Sequence, residues 1–425
     1  MFYTLKKTVW LAIGLCGTLW AQVPTGKLWL LHEGPFGGSG AVGYVQYPGN
    51  TYTQVAAMDG TGNDMLFNGN VLYAVGGGAP SNGSIFRIDT TTKQVLDTLK
   101  NLGARRLAMW NGKLLVTGYQ DAKRFRVLDP ANAYQELWSL GDDKLTAEAE
   151  GIVVDRHLAW VSLPGFLGTG DRVAVIDLQA QDTVATIAVP TNPLSMALVG
   201  PSLYVQSISY GGEGLIVTQI DTASHTVLRS DTTYIDTYGT FLPVGDRIWF
   251  GEVNPNVYRT ERIRAFNTTT HSVDNAVVFD IGQKPSAVQT LNIYGVAHHN
   301  GYTFVSDTDY SNPDSLFVWD GTTASQLRTV GISARVLKFQ PYQSPTAVLA
   351  PAAALAVEAW PVPMQQLLQV RTAVPATFTL TDVRGRVLRS FTTPQVDVAD
   401  LPAGVYFLQA QAAGHPPTRL RLLKQ

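Results

Sequence analysis

The chain has 425 residues, with 31 Lys and Arg against 33 Asp and Glu, and a net charge of −2 offers no basic field for nucleic acid or an anionic membrane surface. Charged residues make up 15%, below the roughly one quarter of an average soluble domain, while 39 glycines and 23 prolines favour many turns over long helices. With 45% apolar residues the chain can build real cores, and the balance points to an all-β protein rather than a disordered one.

Residues 1–21 predict a secretory signal peptide. Lys6 and Lys7 precede an apolar run from Val9 to Leu19 that is too short to span a bilayer, and small Ala21 suits cleavage before Gln22, although large Leu19 fits that site less well. A lipoprotein would use Cys16, but bulky Leu15 stands where such sites need a small residue. Removing the segment leaves no cysteine, so disulfides, thiolate metal sites and cysteine nucleophiles are excluded together. No transmembrane protein is expected.

Residues 22–341 repeat one unit. An apolar–aromatic (or Leu)–apolar motif recurs as Leu28-Trp29-Leu30, Leu72-Tyr73-Ala74, Leu114-Leu115-Val116, Ala159-Trp160-Val161, Leu203-Tyr204-Val205, Ile248-Trp249-Phe250 and Thr303-Phe304-Val305. The central residues step by 44, 42, 45, 44, 45 and 55, a period typical of propeller blades. Interleaved with it, strand residues run into Asp or Asn and a Thr-rich turn, as in Phe86-Arg87-Ile88-Asp89-Thr90, Val175-Ile176-Asp177, Gln219-Ile220-Asp221-Thr222 and Ala265-Phe266-Asn267-Thr268. Each unit therefore reads as a four-stranded antiparallel meander, and seven of them as a seven-bladed β-propeller. The first copy lacks a leading strand, and Ala334 to Phe339 is a spare one that should complete it and close the ring. One aromatic per unit at the same strand position reads as packing between blades, not as a ligand platform.

Residues 342–358 form an Ala/Pro-rich linker, and residues 359–425 a small Ig-like β-sandwich domain with alternating strands such as Phe378-Thr379-Leu380-Thr381. This last segment resembles the C-terminal sorting domain of the type IX secretion system of Bacteroidetes. The resemblance rests on Thr381-Asp382-Val383-Arg384-Gly385-Arg386-Val387, on Val396-Asp397-Val398 with Leu401-Pro402-Ala403-Gly404-Val405-Tyr406, and on the basic, apolar ending at Lys424-Gln425. The family opens on Tyr-Pro-Asn-Pro where this chain has Trp360-Pro361-Val362-Pro363. The resemblance implies recognition by the type IX machinery and delivery, via the periplasm, to the medium or the outer cell surface. An accessory module that helps bind the ligand is the plainer alternative.

Within each meander, long variable loops open on one face, so that rim should carry function. Its loops bear Phe36, Tyr119, Phe166, Tyr210, Tyr258 and Tyr310 between glycines, flat contact area suited to a planar or sugar-like ligand, although any one of them could simply fold down on its own loop. Polar residues entering the innermost strands, Asn63, Asp64, Arg105, Arg106, Glu148, Glu150, Asn192, Tyr238, Asn292 and Arg335, should face the axis, their mixed signs arguing against one strongly charged ligand. Asp307, Asp309 and Asp314 crowd a single loop with donors that suit calcium, although an Asx-rich turn satisfying its own backbone explains them as well.

The repeat also looks like the YncE-like, or quinoprotein-amine-dehydrogenase-like, seven-bladed propellers. Its Asp309-Tyr310 loop leading into Leu316-Phe317-Val318-Trp319-Asp320 is similar to a subgroup of Bacteroidetes surface propellers. That resemblance implies capture of a cobalamin-like tetrapyrrole and transfer to an outer-membrane transporter; a glycan or a protein partner is open too. No cofactor is expected, and no enzyme: the Gly-rich runs Gly37-Gly38-Ser39-Gly40 and Gly76-Gly77-Gly78 lie between strands, without the helix N-terminus a phosphate cradle needs. The enzymatic alternative is a lactonase-like hydrolase with calcium held by Glu148, Glu150, Asp236 or Asp309.

Overall fold

Alternating apolar residues and tight turns fold every copy of the unit into a meander. The computed structural model describes residues 25–341 and 357–425 apart from segments 36–37, 50, 78–82, 120–121, 210–211, 238, 257–258, 281–291, 322–323, 329–330, 373, 384–385 and 413–417, with the backbone alone at 324–328 and 341. The signal peptide, most of the linker, and Phe36, Tyr210, Tyr238 and Tyr258 lie outside the described residues.

In the second sheet Thr61–Asn68, Val71–Gly77, Ser84–Asp89 and Gln94–Leu99 pair in chain order, each antiparallel to the next. Among the described residues five further sheets of this unit follow the same order, one gaining a short fifth strand, Phe279–Asp280, and the first sheet departs from it. First and second strands are joined by turns such as Asn111 (φ 45°) with Gly112 (φ 73°) and Asn300 (φ 48°) with Gly301 (φ 81°), whose left-handed residues match the twist of the strands they connect. After the third strand the Asp or Asn accepts amides from its own turn: Thr91 and Thr92 on Asp89, Gln179 and Ala180 on Asp177, Ala223 and Ser224 on Asp221, Thr269 and Thr270 on Asn267.

The first sheet shows how the ring closes. Ala334–Pro341 pairs antiparallel with Gly26–His32, in the innermost place that a leading strand fills in every other sheet. Apolar clusters then join consecutive sheets. Trp29 of the first packs with Met65 and Leu72 of the second, Trp160 of the fourth with Met196 and Leu203 of the fifth, and Phe304 of the seventh with Leu28, Leu30 and Leu337 of the first. The chain of contacts returns to its start, as a β-propeller requires. Most motif aromatics are fully buried here, as core residues.

Outer strands meet solvent with an open edge, and a bulge disarms it in four consecutive sheets. Ile88 pairs with Val95 but Arg87 with Asp97, leaving Leu96 extra; Leu137, Val184 and Leu228 are left over in the same way. Each is about half exposed, and the added twist opposes pairing with a foreign strand.

Contacts divide the chain between Tyr342 and Gln343. In the second unit, strands Val357–Trp360, Leu367–Thr372 and Gln395–Asp397 form one sheet, and Val387–Phe391, Thr377–Asp382, Gly404–Gln411 and Thr418–Lys424 the other. Leu368, Val370, Phe378, Leu380, Val398, Leu408 and Leu422 fill the sandwich between them. The first strand starts at Val357, so residues 357 and 358 belong to the sandwich rather than to the linker. Tyr406 donates its hydroxyl proton to the Pro402 carbonyl at 2.6 Å, which explains why Pro402 and Tyr406 stand at that spacing. Among the described residues, no helix is long and apolar enough to cross a membrane.

Candidate ligand site at the propeller axis

Polar residues where the chain enters the innermost strands converge on one cavity of about 1050 Å³. Arg335 comes from the first sheet, Asp64 from the second, Arg105 and Arg106 from the third, Glu150 from the fourth, Asn192 from the fifth, Thr240 from the sixth and Asn292 from the seventh. No two neighbouring sheets offer the same side chain.

A charged network ties three sheets together. Arg105 donates from Nε to Glu150 Oε2 at 2.8 Å and from Nη1 to Asn63 Oδ1 at 2.8 Å, while Arg106 Nη2 lies 2.9 Å from Glu150 Oε1. Arg106 also reaches the Asn63 carbonyl. Burial alone would raise the Glu150 pKa, but Arg105 and Arg106 outweigh it and hold the carboxyl at about 2. Asp64 is spent on backbone, accepting from Met65 N and Leu107 N at 2.8 Å each. Across the channel Glu33 receives Arg335 and the Tyr294 hydroxyl.

Aromatic rings border this network. Tyr119 lies under the Arg105 guanidinium at 5.0 Å and donates its hydroxyl to the Gly165 carbonyl at 3.1 Å. Tyr294 and Tyr310 meet edge to face at 5.5 Å, and Asn292 Nδ2 donates to the Tyr310 hydroxyl at 3.0 Å. Three residues of the mouth, Leu167 (φ 71°), Asn192 (φ 59°) and Tyr310 (φ 62°), hold left-handed backbone although none is glycine. For Leu and Tyr that conformation is strained.

Of the residues singled out from the sequence, Asp64, Arg105, Arg106, Tyr119, Glu150, Asn192, Asn292, Tyr310 and Arg335 line the cavity. Asn63 stands behind it, buried beneath Arg105. Glu148 and Phe166 line a separate recess of about 380 Å³, where Glu148 Oε2 accepts from Phe166 N at 2.8 Å. Residues missed from the sequence are Glu33, Gln206, Thr240, Tyr294 and Lys338. Tyr294 could have been found two positions beyond Asn292 on the same strand.

The Asp-rich loop, open from the sequence to a calcium site or to a self-satisfied Asx-rich turn, has carboxylates that accept backbone amides. Asp307 Oδ1 accepts from Ser315 N at 2.8 Å, Asp314 Oδ1 from Ser333 N at 3.0 Å, and Asp309 Oδ1 from Ser311 N and Asn312 N at 2.8 and 2.7 Å. These carboxylates hold their own loop and the lead into the closing strand. Among the described residues no group of three or more His, Cys, Asp or Glu side chains converges as metal ligands would.

Comparison with known proteins follows this division. Residues 358–422 match the family model of the secretion system C-terminal sorting domain. A search of curated proteins found no match. Among solved structures, a 6-phosphogluconolactonase candidate from Bacteroides fragilis is 13% identical with a TM-score of 0.52, the alignment covering 74% of this chain and 98% of that one. A quinonprotein alcohol dehydrogenase-like protein from Bacteroides thetaiotaomicron is 11% identical with a TM-score of 0.52, covering 74% and 78%. PorZ, a surface component of the type IX secretion system of Porphyromonas gingivalis, is 12% identical with a TM-score of 0.47; the alignment covers 91% of this chain, which spans only 64% of PorZ. The likenesses above 0.5 show a propeller-like fold, and the sorting domain implies export by the type IX system to the cell surface or the medium.

Proposed function

We propose that the chain is a seven-bladed, YncE-like propeller that captures a small ligand in its axial mouth, without catalysing a reaction, and is displayed or released outside the cell. The observation that carries this reading is the convergence of polar side chains from every sheet, no two neighbouring ones alike, on one cavity bordered by tyrosines, with Tyr310 on strained backbone. A ring held only for stability would be served by repeated, self-satisfied residues, as its Asp and Asn turns are.

A cobalamin-like tetrapyrrole or a glycan fits the mixture of flat and polar surface, and an outer-membrane transporter would then receive the cargo. The hydrolase alternative is weaker, because Glu150 is engaged by two arginines and Glu148 and Asp309 by nearby amides. Calorimetric titration of the protein with cobamides, haem and glycans tests the proposal. Micromolar binding that Tyr119→Ala and Tyr310→Ala weaken supports it; no binding across the panel leaves a surface module for a protein partner. Deleting residues 343–425 should abolish export, and a truncated chain that still leaves the cell would contradict the role of the tail.

A further inference from the structure

The carboxylates around the mouth are used up, whereas its cations are not. Both Asp64 oxygens take backbone amides, and both Glu150 oxygens take guanidinium protons from two arginines. One carboxylate thus serves two cations. Arg335 binds Glu33 through Nη1, and Lys338 lines the cavity with no ion-pair partner among the described residues. Tyr310 accepts a proton from Asn292, so its own hydroxyl proton is left to be donated inward. The surface offered to a ligand therefore sets free donors and positive charge beside tyrosine rings.

From this we infer that the axial mouth takes a small organic anion with a flat ring, its anionic group meeting Arg335 and Lys338 and its ring resting against Tyr310. This deepens the proposed function and rests on it. A carboxylate, sulfonate or phosphate presents the same acceptor chemistry to a guanidinium and an ammonium group. A neutral glycan would leave Lys338 unanswered, and a cationic ligand would meet three arginines.

Anilinonaphthalene sulfonate and its uncharged relative N-phenylnaphthylamine share a flat ring system and differ by the anionic group. Titrated by fluorescence, the sulfonate should bind once per chain and the neutral dye more weakly. Lys338→Gln and Arg335→Gln should each weaken the sulfonate about tenfold or more, as loss of a charged hydrogen bond implies, and should leave the neutral dye unchanged. Lys338→Gln breaks no ion pair, so it also controls for damage to the fold. Equal affinity for the two dyes, or sulfonate binding untouched by both variants, would overturn the inference. Tyr310→Ala should weaken both dyes and separates the two levels: if it does so where the charge variants have no effect, the mouth is a site and only its charge preference is wrong; if it changes neither dye, the site itself fails.

Discussion

The turns after the third strands and the ring of residues at the axis are both built from polar side chains at fixed places in the repeat, yet they differ in every other respect. In the turns of the second to sixth sheets the residue is Asp or Asn, its partners lie two or three positions ahead, and these bonds stay within one sheet. At the axis the residue changes from sheet to sheet and its partners are distant in sequence: Arg105 reaches 45 residues to Glu150, and Arg335 reaches 302 back to Glu33. Sameness at a repeated position marks a local structural need that those blades share. Difference marks something that the ring does only once.

Substitution should separate the two regions. Glu150→Ala leaves two guanidinium groups without their shared counter-charge and should cost about 3 kcal/mol in urea denaturation. Asp177→Ala, at an exposed turn, should shift the midpoint far less. Equal losses would erase the distinction.

Acid should act on the axis and on the ring closure before it acts on the turns. The folded pKa of Glu150, held at about 2 against an ordinary 4.5, means that its stabilising contribution is present above pH 4.5 and is lost as pH falls toward 2. His32 works in a higher window. It is fully buried on the strand that receives Ala334–Pro341, neither ring nitrogen has a partner among the described residues, and burial lowers its pKa to about 4. The unfolded chain takes up a proton below pH 6.5 and the folded one does not, so stability should fall by about 2–3 kcal/mol between pH 6.5 and 4. His32→Gln should flatten that limb, as read from denaturation midpoints across the range; an unchanged slope would show that His32 does not set it.

Smaller effects sharpen the contrast. Leu167 is 79% exposed with φ 71°, so Leu167→Gly should stabilise the protein by about 0.5–1 kcal/mol while altering the mouth. At the outer bulges, Leu228→Thr should change stability by less than about 0.5 kcal/mol.

Much of the fold was legible because periodicity survives in one dimension. The steps between aromatic motifs, the missing first strand and the spare Ala334–Phe339 segment all follow from order along the chain, and the strand pairing agrees with them. Axial residues were legible as a class, since their place in the repeat sends them inward. Their pairing was not: nothing in the sequence tells Glu150 to accept two arginines, because that depends on how neighbouring sheets face each other. The Asp-rich loop left two readings open for a related reason. Residue type suggested a cation, but Asp307 and Asp314 turn inward to amides of Ser315, Ser333 and Ala334, an orientation that composition does not encode.

Hydrogen exchange with and without a ligand that binds in the titration panel tests the central claim most directly. Added protection should appear in residues 104–107, 148–152, 192–195, 292–294 and 334–336, around the axial mouth, and leave the turns at Asp89, Asp177, Asp221 and Asn267 unchanged. Protection centred on those turns, with the axial segments unaltered, would contradict it.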